Sequence, residues 1–150
     1  MTATSVPTTP VVQSVAIEGW LPDPIANGQH GHWSRHQAKL RIAQATVWAA
    51  AMQAGWRFVP GRVRLTITLV FRQQRRRDTD NLYARVKGCV DGLKSHTVTT
   101  ALGIKLPVPV TRLGWFSDDS IDVLELVVKA EVSKEWTGTR ITLEAIDGES

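Results

Sequence analysis

Residues 62 to 71, RVRLTITLVF, constrain the fold more than any other stretch. Val63, Leu65, Ile67, Leu69 and Phe71 alternate with Arg62, Arg64, Thr66, Thr68 and Val70. Successive side chains of a strand point to opposite faces, so this alternation makes a strand with one apolar face and one largely polar face. Such a strand must lay its apolar face on other elements, and the flanking segments supply them. Between 34 and 54, Leu40, Ile42, Ala43, Val47, Trp48, Ala51 and Met52 recur near a 3.6-residue period, the mark of an amphipathic helix. Ser34 can cap its start and Gly55 can stop it. From Asn81 to Leu93 the helical period returns, with Leu82, Val86, Cys89, Val90 and Leu93 at i, i+4, i+7, i+8 and i+11.

Shorter signals complete the order. Val15 and Ile17 mark a first strand, SIDVLELVVKAEV a third, and TRITLEAI a last one after a turn at Thr137–Gly138. GWLPDPIANGQHGHWSRHQ reads as an irregular loop. Residues 94 to 114, with Pro107 and Pro109, read as a second, long loop of the kind that tends to be functional. The order β-α-β-α-β-β implies an α+β fold: a small mixed β-sheet with two main helices.

At 150 residues a single domain is expected, spanning 14–147, with residues 1–13 as a flexible arm rich in Thr, Ser and Pro. No apolar run approaches the ~18–20 residues of a membrane span, so no membrane partner is expected. The first residues lack the pattern of a secretory signal. One cysteine, Cys89, allows neither an intrachain disulfide nor a thiolate metal cluster, and both facts fit a reducing cytoplasm. His30, His32, His36 and His96 show no zinc-type pairing and read as surface or loop histidines. The net charge of +4 permits a polyanionic partner.

The distribution of that charge is more specific. RRRDTDNL, residues 75 to 82, sets Arg75, Arg76 and Arg77 against Asp78 and Asp80 just where the strand pattern stops. Arg35, Lys39 and Arg41 form a second basic group. In extended backbone, residues two apart point the same way, so both aspartates can reach one hard cation. Oxygen-only donor sets of this kind suit magnesium or manganese. Asp118 and Asp119 precede the next strand, and ligands from two strand ends converge if those strands are neighbours. Asp80 as a helix cap, and Asp118–Asp119 as a plain turn, are the structural alternatives. Seven helical residues at ~100° each return almost to the starting angle, so Lys87 lies on one stripe with Asp80, Ala84 and Asp91. A lysine there can stabilise charge developing on a phosphate; its alternative is an ordinary helix-surface residue. Carboxylates, a lysine and flanking arginines are the parts that metal-dependent phosphodiester hydrolysis requires.

RRRDTDNL, then KGCVDGL, then WFSDDSIDVLELVVK resemble, in the same order, the RusA family of Holliday junction resolvases. LPDPIANGQHGHW is similar to the Pro- and Asn-containing loop that opens members of that family. The likeness covers roughly residues 15 to 145. It implies a dimeric, magnesium-dependent endodeoxyribonuclease, common in phages and prophages, that resolves four-way junctions in recombination and repair, working in the cytoplasm of a bacterial or phage-infected cell. Manganese would substitute for magnesium. By motif position, Asp78, Asp80 and Asp119 would be the catalytic, metal-binding carboxylates and Lys87 the catalytic lysine. Arg75, Arg76, Arg77, Arg35, Lys39 and Lys129 would meet DNA. Two departures accompany the likeness. The lysine position counted forward from Asp80 holds Ala84, so about three residues, roughly one helical turn, are added before Lys87. Residues 94 to 114 also replace a short turn. A catalytically weak dimeric protein that binds branched DNA on the same scaffold is the alternative.

Overall fold

A computed structural model describes residues 12–23, 33–73, 82–101, 104–112 and 114–146, with backbone alone at 33–36, 96–101 and 104–112. The expected strand at 62–71 is β2 (Val63–Phe71), third in a four-stranded sheet. The order across that sheet is β1 (Val12–Glu18), β6 (Gly138–Ala145), β2, β5 (Leu124–Val132). β6 runs antiparallel to both β1 and β2, whereas β2 and β5 are parallel. The sheet is therefore mixed and the fold α+β, as the element order implies. β1 begins at Val12, two residues before the expected domain boundary.

The core forms on one face of this sheet. Val63, Leu65, Ile67, Leu69 and Phe71 are buried there with Ile141 and Leu143 of β6 and Leu124 of β5. Two helical runs cover them. The first is α1 (Trp33–Gln53), followed by Gly55 at a φ of 73°, a left-handed conformation glycine adopts without steric cost. The second, expected as one helix, is broken at Val86 into α2 (Leu82–Arg85) and α3 (Lys87–Leu93). The expected apolar stripe of α1 is too wide. Ala43, Val47 and Ala51 are buried, but Ile42 is 58% and Met52 54% exposed, because α1 rests on α3 along a narrow, small-residue seam. The polar face of β2 is also drier than its sequence implies, for Thr68 and Val70 are both buried.

Glycine makes that seam possible. A Cβ built at Gly92 would stand 2.8 Å from Gln44 Cα and 2.6 Å from the Gln44 carbonyl oxygen; at Gly88 it would meet Ala43 Cβ at 2.8 Å. Helix propensity rewards Gly→Ala by about 1 kcal/mol. Overpacking a tight contact costs about 1–3 kcal/mol, and at Gly92 the obstruction is the Gln44 main chain, which yields little, together with Val47 Cγ2 at 2.8 Å. Gly92→Ala is accordingly expected to destabilise the fold by a net amount of about 1–2 kcal/mol. The urea midpoint reads this directly, and an unchanged or higher midpoint would contradict the seam.

The long loop expected at 94–114 is instead mostly a hairpin, β3 (His96–Ala101) and β4 (Ile104–Arg112). His96, Val98 and Thr100 pair with Arg112, Val110 and Lys105. Residues 106 to 109 lie opposite Thr99 alone, and both prolines fall in this interruption, where a missing N–H breaks no ladder bond. The prolines hid a strand rich in β-branched residues. Among the described residues no helix is long and apolar enough to cross a membrane.

Candidate active site

The parallel pairing of β2 and β5 decides how distant acids can meet. Val63 lies beside Leu124, and Phe71 beside Val132. The end of β2 and the start of β5 therefore stand at opposite ends of the strand pair, about 26 Å apart at ~3.3 Å per residue. The strands are neighbours, as convergence required, but their direction removes the simple route through adjacent strand ends. α2 and α3 run back from the end of β2 to the start of β5, where Lys94 bridges to Phe116 in parallel fashion.

An open cleft of about 510 Å³ lies along this return. One wall carries Tyr83, Ala84, Lys87 and Asp91; Leu124 and Leu126 of β5 form part of the floor. Ala84, Lys87 and Asp91 thus face one site despite the break at Val86, as the helical stripe implies. Asp119 and Ile121 complete the lining. Tyr83 is 60% and Ile121 84% exposed, so two large apolar groups border the charged centre.

The acidic pair before β5 divides its labour. The Asp119 N–H donates to Asp118 Oδ1 at 2.8 Å, and Ser120 O accepts from the N–H groups of Val123 and Leu124. Ser120 O thus closes a turn just after the pair, while Asp118 accepts from its immediate neighbour and is not part of the cleft lining. The turn leaves Asp119 facing the cleft, where its Oδ2 accepts from Lys94 Nζ at 3.1 Å. Lys94 Nζ is also 3.9 Å from Asp91 Oδ1. The Lys94 hydrogen bond above all, with the Lys94 charge beside it, holds the Asp119 carboxyl below its usual range against the opposing effect of burial. Asp119 is thus ionised at neutral pH, the state a cation requires. Lys87 is exposed and makes no ion pair with a described residue.

Asp78, Asp80, Arg75, Arg76 and Arg77 lie outside the described residues, and the Arg35 side chain does too. Lys39 is exposed on α1. Lys129 is exposed as well, but strand alternation puts it on the sheet face opposite Leu124 and Leu126, away from the cleft. Cys89 is buried against the core, and burial pushes its thiol up to about 12, which removes it from nucleophilic chemistry. Of the residues selected by motif, the structure brings Lys87 and Asp119 into one cleft. Among the described residues no three acidic, histidine or cysteine side chains form a metal-holding group.

Lys94 is the site residue that the sequence reading passed over. The stripe running 80, 84, 87, 91 continues by one further step of three to 94, so its extension would have found it. Tyr83 and Ile121 carried no such signal, because an apolar residue in an amphipathic pattern reads as core. No protein-family model matches the chain, and no curated protein matches it.

Proposed function

We propose that this chain is a magnesium-dependent endonuclease that cuts phosphodiester bonds in branched DNA, four-way junctions above all, as a two-fold dimer. One observation carries the proposal. Lys87 and Asp119, chosen from separate sequence motifs, line the same cleft, and α2 at one end of that cleft directly follows the segment that contains Asp78 and Asp80. The residues present suit a hard divalent ion, since Asp119 offers carboxylate oxygens and already holds a cationic group, the Lys94 ammonium. Asp119 would hold the ion together with Asp78 and Asp80. Bound there, magnesium supplies Lewis-acid polarisation of the phosphate and a more acidic water.

The protein's own groups have separate tasks in this reading. Lys87 stabilises negative charge growing on the phosphate. Arg75, Arg76 and Arg77 hold the DNA backbone against repulsion from the acids. Tyr83 offers an aromatic face at the rim on which a base can stack. A symmetric junction calls for two sites related by a two-fold axis, hence the dimer.

The Lys94–Asp119 pair favours a second reading, a branched-DNA-binding protein whose carboxylate is neutralised and whose catalysis is weak. A synthetic four-way junction incubated with and without magnesium separates the two. Paired symmetric nicks that need the metal support the nuclease. Retarded junction without nicks supports the binding protein, and no preference for junction over duplex contradicts both. Replacing Arg75, Arg76 and Arg77 by Ala is expected to weaken binding at every sequence. It should also reduce the slope of log K against log salt by about 0.9 per arginine in contact with phosphate. An unchanged slope would place those arginines away from the DNA.

A further inference from the structure

We infer that Lys94 is a built-in competitor of the divalent ion, an inference that rests on the metal site proposed above. Its ammonium lies 3.1 Å from Asp119 Oδ2 and 3.9 Å from Asp91 Oδ1, between two carboxylates that line the cleft. An ammonium and a divalent cation seek the same oxygen lone pairs, and both cannot sit against Asp119 without strong repulsion. The ion therefore binds by displacing Lys94.

The surroundings make this exchange local. The Lys94 N–H donates to Val90 O at 3.1 Å, and its backbone bridges to Phe116. The next residue is fixed too: the Ser95 N–H donates to Phe116 O at 2.9 Å, and Ser95 Oγ donates to the same oxygen at 3.0 Å. The main chain at 94 is thus held from both sides, and only the four-carbon side chain needs to swing. A plain helix-end ion pair, i to i+3, would involve Asp91 alone. Here the shorter contact goes to Asp119, from a segment far away in sequence.

Lys94 lowers the affinity of the empty site for metal, and release of its ammonium gives the cleft a second cation, beside Lys87, to offer to a phosphate. Metal occupancy and DNA binding then support each other, because each removes a cost of the other. A chain with a neutral residue at 94 would load metal without DNA.

Manganese binding to the full chain without DNA, followed by the electron paramagnetic resonance of free Mn²⁺, tests this. Lys94→Met is expected to bind Mn²⁺ about tenfold more tightly than the parent chain. Lys94→Arg, which keeps the charge, should stay near the parent value. Adding Asp119→Asn to Lys94→Met should erase the gain. Lys94→Gln serves if the Met variant fails to fold, with tryptophan fluorescence as the folding check. Equal or weaker Mn²⁺ binding in the neutral variants, with measurable binding in the parent, overturns the inference and leaves the metal site standing. No Mn²⁺ binding by parent or variant overturns the metal site and the inference together. A lysine that served only to fix α3 would lower stability on substitution and leave metal affinity where it was.

Discussion

Asp119→Asn is expected to slow junction cleavage by roughly a hundred- to a thousandfold while junction binding persists. The size follows from the task assigned to the side chain. A metal ion contributes several kcal/mol to stabilising a phosphoryl transition state. At about 1.4 kcal/mol per factor of ten, loss of an ion-holding carboxylate removes two to three powers of ten in rate. Binding survives because the substitution also removes a negative charge that repels the backbone. The amide keeps the shape of the carboxylate, and Asp119 sits on an exposed turn, so the fold should be little disturbed. Asp80→Asn is expected to behave in the same way. Cleavage and binding falling together would point to a structural role for these residues, and cleavage retained in both variants would remove them from the chemistry.

The second large effect concerns Phe116, which joins the fold to the site. Its side chain is fully buried, and it stands three residues before Asp119. Around it the chain is tied to the end of α3: the Trp115 N–H donates to Leu93 O at 2.8 Å, and Phe116 O accepts from Ser95. Phe116→Ala leaves a cavity and is expected to destabilise the protein by about 3–5 kcal/mol. In a domain of this size that lowers the melting temperature by about 6–20 °C. Thermal unfolding monitored by circular dichroism measures it. The same variant should lose metal affinity below its melting point, since the turn that presents Asp119 is no longer anchored. A melting temperature within about 2 °C of the parent would show that the segment before β5 is held by something else.

β2 was legible because five apolar residues alternate without a gap. β5 and β6 followed from the same period. The hairpin at β3 and β4 was hidden by Pro107 and Pro109, which read as strand breakers until the pairing shows them inside a bulge. Ile42 and Met52 misled because the helical period gives the direction of an apolar stripe and not its width. Gly88 and Gly92 narrow that stripe by bringing α1 close to α3.

At the site, local spacing was a sound guide and long-range direction was not. The stripe through Ala84, Lys87 and Asp91 follows from helix geometry alone, and the cleft displays it. No local pattern states that β2 and β5 run parallel, since that depends on how the crossover chain packs. The turn closed by Ser120 O, with Asp119 facing the cleft, likewise becomes visible only when the backbone bonds of Ser120 are known. Lys94 was readable in principle, as the next step of the stripe. Its bond to Asp119 is tertiary.

Manganese located by anomalous scattering in a crystal of the full chain tests the central claim most directly. The account predicts one ion in direct contact with Asp119 and with Asp78 and Asp80, near Lys87, and with the Lys94 ammonium moved off the Asp119 carboxylate. An ion bound elsewhere, or Asp119 remote from Asp78 and Asp80 both within a subunit and across a dimer, would contradict it.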